Sequence, residues 1–157
     1  MLRILCPVDF SVHSKQALRH AASLAARGSG QLIVLFVEDR LLFAASAGGE
    51  EKAALEGLRS QLRRFVAKTL TPAHRVFSAA RIEVAVGEPA EEIQRVCRKL
   101  RCDLIVVGSH GLTGATRLLL GSTTEKVLRN ASVPVMAVPP QCQGRSRLSL
   151  VQARREA

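Results

Sequence analysis

Gly108, Gly111 and Gly121, with Ser122-Thr123-Thr124 directly after the last of them, are the residues whose types and spacing invite chemistry. They share one stretch, residues 103 to 138: DLIVVGSHGLTGATRLLLGSTTEKVLRNASVPVMAV. An apolar run, Leu104 to Val107, breaks at Gly108-Ser109-His110-Gly111. After a nine-residue linker Gly121-Ser122 opens a helical pattern, and a second β-branched run, Val133 to Val138, closes the stretch. A buried strand, a glycine-rich turn and a helix N-terminus together form a place where phosphate sits against backbone N–H groups. Gly108 and Gly111 allow positive φ and close backbone approach as the chain leaves the strand. Gly121 removes a Cβ where phosphate oxygens would meet the helix. Ser122, Thr123 and Thr124 add three hydroxyls and three N–H donors at the positive end of the helix dipole.

The spacing is G-x2-G-x9-G-S. It is not the dinucleotide fingerprint, which needs G-x-G-x-x-G directly after the first strand, and without G-K-[ST] it is not a P-loop. Ser122-Thr123-Thr124-Glu125 also fits a capping box, so Ser122 is expected to cap the helix first and to contact phosphate second. His110 has three open roles: orienting a loop, contacting a ligand, or facing water. Arg117 reaches either phosphate or water. Asp9 ends the first apolar run, near the point where open α/β sheets bind ligands, and doubles as a turn residue ahead of Ser11.

The elements that must position these residues follow in order. Leu2 to Val8 is apolar enough for a strand buried on both faces, and Ser11 is placed to N-cap a helix carrying Ala17, Leu18, Ala21, Leu24 and Ala25 to Gly28. Gln31 to Val37 is a second buried strand. Glu38 to Gly49 reads as a loop with apolar content. Leu55, Leu58, Leu62, Phe65 and Val66 make Glu50 to about Leu70 an amphipathic helix ended near Thr71-Pro72. Arg81 to Val86 is a more polar strand, suited to an edge. Gly87-Glu88-Pro89 turns into a helix with Pro89 at its first position and Ile93, Val96, Cys97 and Leu100 on its buried face. The alternation of strands and helices with short loops predicts an α/β, doubly wound single domain with a parallel sheet. Residues 1–140 form this domain and 141–157 a basic tail, with a net charge of +3 from Cys142 to Ala157.

Composition narrows the partners. The chain has 157 residues, a net charge of +10 and only 3% aromatic residues, with no Trp or Tyr. The charge suits phosphate-bearing ligands, whereas the lack of aromatics argues against base-stacking nucleic-acid surfaces. Arg59, Arg63, Arg64 and Lys68 cluster, but as a solvated helix face. No apolar run is long enough for a transmembrane helix, and the first residues are too short and strand-like for a signal peptide, so the expected location is the cytoplasm. Cys6, Cys97, Cys102 and Cys142 form no C-x-x-C pair, and Cys6 and Cys97 read as small core residues.

Three pieces together resemble the universal stress protein family across residues 2 to 139. They are Ile4-Leu5-Cys6-Pro7-Val8-Asp9-Phe10-Ser11, Gly87-Glu88-Pro89-Ala90-Glu91-Glu92-Ile93, and the G-x2-G-x9-G-S stretch running through Glu125-Lys126-Val127-Leu128 to Pro134-Val135. The resemblance implies a five-stranded sheet of order 3-2-1-4-5 and membership of the branch that binds ATP, with AMP or ADP as alternatives and Mg accompanying the phosphates. It implies that Pro7, Asp9 and Val37 line the adenosine side. Val107, Gly108, Ser109, His110, Gly111, Leu112, Thr113 and Gly114, with Ser122, Thr123 and Thr124, would hold ribose and phosphates. It further implies a homodimer through the last strand, Val133 to Val138. Phe36 stands where many members have His, but strand alternation points it away from the site.

The functional expectation is a cytoplasmic adenine-nucleotide-binding regulator or sensor in stress response, with an unidentified protein partner. The alternatives are a slow ATP hydrolase or phosphotransferase, and a homodimeric interaction module in which nucleotide is incidental. Against the enzyme reading, the sequence offers no evident general base and no paired carboxylates for metals.

Overall fold

Describing residues 1–70, 80–109 and 120–139, the computed structural model of the chain begins with β1 (Arg3–Val8), α1 (Val12–Arg27), β2 (Gln31–Glu38), α2 (Arg40–Ala47) and α3 (Glu51–Thr69). It continues with β3 (Arg81–Val86), α4 (Pro89–Lys99), β4 (Leu104–Gly108), α5 (Ser122–Asn130) and β5 (Val135–Val138). The five strands form one parallel sheet in the order β3-β2-β1-β4-β5. This is the expected doubly wound topology, with β3 at one edge as its polar face suggested.

Strand alternation divides the core into two layers. Ile4, Cys6, Val8, Leu32 and Val34 face α1 and α3, where Ala17, Leu18, Ala21, Leu62 and Val66 close the packing. Leu5, Ile33, Leu35 and Ile105 face α4 and α5, against Ile93, Val96, Cys97 and Val127. Small residues on α1 let it lie close to the sheet. Gly30 serves the same end: a Cβ there would lie 2.7 Å from the Leu2 carbonyl oxygen, so only glycine lets the chain enter β2.

The cysteines follow the core reading, and Cys102 joins Cys6 and Cys97 as a buried thiol. Burial pushes the Cys6 thiol well above its ordinary value. Cys97 and Cys102, five residues apart around the end of α4, come together. The Cys102 thiol donates to Cys97, which lowers the Cys97 pKa and raises that of Cys102.

One sequence expectation is corrected. Glu38 to Gly49 is not a loop, because Arg40–Ala47 is helical. Asp39 caps it, its Oδ1 accepting the N–H groups of Leu41 at 2.8 Å and Leu42 at 3.2 Å. Gly48, at φ 53°, closes its C-terminus. The Gly-Gly pair that resembled a loop is therefore a helix stop. Phe43 and Ala47, one turn apart, are its buried residues, and Leu41 and Leu42 stay exposed.

Among the described residues, no helix is long and apolar enough to cross a membrane.

Candidate functional site

The sheet reverses its winding between β1 and β4, where a crevice opens at the carboxyl ends of the strands. The β1–β4 ladder runs only through Ile4↔Leu104 and Leu5↔Ile105, whereas β1 stays paired with β2 through Val8↔Phe36. Pro7, which has no N–H to donate, lies just past the last β1–β4 pair. β1 and β4 therefore part just as their side chains reach the crevice.

A cavity of about 260 Å³ fills this crevice. Pro7, Val8 and Asp9 line it from the end of β1, Leu35 and Val37 from β2, and Val107 and Gly108 from β4. Gly121, Ser122, Thr123 and Thr124 close it at the start of α5. Nine residues singled out in the sequence thus meet at one cavity. Ser109 stands just behind it, buried, its carbonyl accepting the Gly121 N–H at 2.8 Å. His110, Gly111, Leu112, Thr113, Gly114 and Arg117 lie outside the described residues.

Each wall has a local cause. Asp9 is aimed by a tight turn in which Phe10 takes the left-handed conformation, φ 63°. That conformation is unfavourable for an aromatic residue, and packing offsets it: the Phe10 ring lies 4.5 Å from Phe36 and 5.1 Å from Phe65. The turn is further held by the Ser11 N–H, which donates to Asp9 Oδ1 at 3.0 Å. Ser11 then caps α1, its Oγ accepting the Ser14 N–H at 3.1 Å. Phe36 points into the α1–α3 layer while Leu35 and Val37 face the cavity, as alternation required.

The α5 wall differs from expectation in two respects. Ser122 is the first helical residue, not the cap, and Gly121 occupies the cap position. The capping box does not form: with Gly121 at the cap, Glu125 falls one position too late to reach back, and its carboxylate pairs with Arg129 at 2.8 Å. The first intrahelical bond runs from the Glu125 N–H to the Gly121 carbonyl at 2.9 Å, so the N–H groups of Ser122, Thr123 and Thr124 have no intrahelical acceptor. Gly108, for its part, is the last residue of β4, registered against Val138, and is not among the positive-φ glycines. Its role is close approach alone. Thr124 Oγ1, buried, donates to the Gly108 carbonyl at 2.8 Å and fixes α5 to the end of β4.

Sequence reasoning missed Val8, Ser14, Leu35, Pro89 and Ile93 as lining residues. Leu35 had a signal, since it lies two residues before Val37 on the same face of the strand. Pro89 and Ile93 are one turn apart on α4 and belong to the Gly87-Glu88-Pro89 piece already quoted.

The rim is charged. Glu88 caps α4, its Oε2 accepting the Glu91 N–H at 2.8 Å, while its Oε1 accepts Lys126 Nζ at 3.0 Å. Desolvation works against the Glu88 charge. The Glu91 N–H, the Lys126 ammonium and the Ala90 N–H outweigh it and hold the carboxyl below its usual range. The geometry thus joins an apolar cleft carrying one carboxylate to a helix N-terminus with three hydroxyl side chains, a combination suited to a nucleoside bearing phosphate.

Comparisons with known proteins agree with the architecture. The sequence model of the universal stress protein family matches residues 1–139. Universal stress protein MJ0531 of Methanocaldococcus jannaschii is 33% identical over 137 residues, covering 87% of this chain and 81% of its own. A solved structure of hypothetical protein MJ0577 superposes with a TM-score of 0.71 at 27% identity, covering 90% of this chain and 98% of that one. A universal stress protein solved in complex with cAMP shares the fold at a TM-score of 0.61 and 21% identity, covering 88% and 96% of the two chains. With the family match spanning the whole described fold, the chain belongs to the universal stress protein family.

Proposed function

We propose that the chain is an adenine-nucleotide-binding regulator, with ATP as its ligand and AMP or ADP as alternatives. The observation that carries this is the meeting of Asp9 and Val37 with Gly121–Thr124 around one cavity. An adenosine moiety suits the apolar walls of Pro7, Leu35, Val37 and Ile93, and the Asp9 carboxylate is an acceptor for its amino or hydroxyl groups. Phosphate suits the N–H groups of Ser122, Thr123 and Thr124, which have no intrahelical acceptor, and the hydroxyls of Ser122 and Thr123. The cAMP-bound relative speaks at its identity for the fold alone, so the ligand assignment rests on the residues of this chain.

Mg arrives with the phosphates in this reading. Among the described residues, no group of three or more His, Cys, Asp or Glu could hold a metal ion, and Asp9 would meet Mg through phosphate oxygens and water. The site binds and reports; turnover, if any, is slow. A homodimer through the last strand, β5, and a cytoplasmic role in stress response, through a protein partner, complete the proposal.

Heat-denaturing the purified protein and running the supernatant on an anion-exchange column tests it. ATP or AMP released in stoichiometric amount supports the reading. A nucleotide-free preparation that also fails to bind added ATP with Mg would sink it. Steady ADP production at many turnovers per minute, lost in Asp9→Ala, would favour the hydrolase instead.

A further inference from the structure

Glu88, the cap of α4, and Lys126 of α5, 38 residues apart in sequence, pair at 3.0 Å; neither lines the cavity, but each neighbours residues that do. Each is placed by a lining residue. Glu88 directly precedes Pro89, and Lys126 follows Ser122 by four positions and Thr123 by three. Residues three and four apart share a helix face, and helical side chains lean toward the N-terminus. Lys126 therefore lies on the α5 face that carries Ser122 and Thr123, and its flexible stem leans toward their hydroxyls. Its ammonium is nevertheless drawn across to α4. Arg129, the other cation on α5, is engaged by Glu125.

We propose that Glu88 holds Lys126 out of the phosphate subsite, so that this ion pair sets how strongly the site prefers phosphorylated adenosine to adenosine itself. The inference rests on the nucleotide reading above. With the pair intact, phosphate is held by helix N–H groups and hydroxyls. With the pair broken, Lys126 becomes a direct phosphate ligand. Both partners are partly exposed, with side-chain accessibilities of 59% for Lys126 and 37% for Glu88, so breaking the pair is a modest change that leaves the fold intact.

The test is the ratio of adenosine to ATP dissociation constants, measured by isothermal titration calorimetry for the wild type and three variants. Glu88→Gln keeps an oxygen to cap α4 but loses the charge that holds Lys126. It is expected to tighten ATP binding roughly fivefold while leaving adenosine unchanged. Lys126→Gln alone changes ATP binding little. The double variant Glu88→Gln/Lys126→Gln loses the gain, which separates the Lys126 contact from simple relief of repulsion by Glu88. Glu88→Ser, which also caps helices, repeats the experiment should Gln perturb the turn. ATP binding with an unchanged ratio in Glu88→Gln and Glu88→Ser, or a gain that survives in the double variant, overturns this inference and leaves the nucleotide reading standing. Failure of the folded wild type to bind either ligand overturns both.

Discussion

The hydroxyl of Thr124 donates to the carbonyl of Gly108 across 2.8 Å, in a buried position, and so couples the first turn of α5 to the last residue of β4. The Gly121 N–H, bonded to the Ser109 carbonyl, adds a second tie one residue farther along β4's exit. These bonds make the helix N-terminus a fixed part of the cavity wall. Thr124→Val keeps the shape but leaves a buried carbonyl without its donor, at an expected cost of about 1–3 kcal/mol. Thr124→Ser should retain most of the stability. Urea unfolding of the three proteins checks this, and equal midpoints for wild type and Val would show that the bond contributes nothing.

Gly121 has φ −60° and ψ 145°, a conformation open to any residue, so the backbone alone does not demand glycine there. Gly121→Val should therefore fold, losing about 1 kcal/mol through a poorer helix cap. Nucleotide binding should disappear, because a branched side chain occupies the approach of the phosphate. Calorimetry beside a thermal melt separates the effects: a folded variant that binds like the wild type contradicts the phosphate cradle.

Glu88 gives a pH signature. Its folded pKa lies below the ordinary 4.5, so the stability it contributes is fully present above that value. That stability is lost as pH falls through the lower folded pKa. Because the pair is largely solvated, the effect is expected to be only a few tenths of a kcal/mol. Melting curves of wild type and Glu88→Gln should differ at neutral pH and converge in acid. A difference that grows on acidification would reverse the assigned sign.

Asp39→Ala removes the acceptor for two N–H groups at the start of α2. An expected loss of about 1 kcal/mol falls mainly on this short helix. Hydrogen exchange should quicken at residues 40–47 and leave β1 and β4 unchanged. Uniform acceleration across the chain would instead make α2 part of the global core.

The strands were legible because each buried run is continuous and bounded by turn residues, whereas the sheet order followed from the family resemblance. Asp9 and Gly121 were singled out by position and motif and Val37 by the resemblance, and all three line the cavity. Helix α2 was hidden by its brevity: eight residues with Phe43 and Ala47 as the buried pair give too little period to recognise. The Ser122 box misled because a sequence shows that Ser122 and Glu125 have the right spacing but not that α5 starts one residue early, with Gly121 at the cap. The Glu88–Lys126 pair and the Ile93 wall depend on how α4 lies beside α5, which local sequence does not encode.

The central claim is most directly tested by titrating nucleotide-free wild-type protein with ATP and Mg in a calorimeter, with Gly121→Val alongside. One ATP per chain, with roughly micromolar affinity in the wild type and none in the variant, is the predicted result. A folded wild-type protein that gives no saturable binding up to millimolar ATP would contradict it.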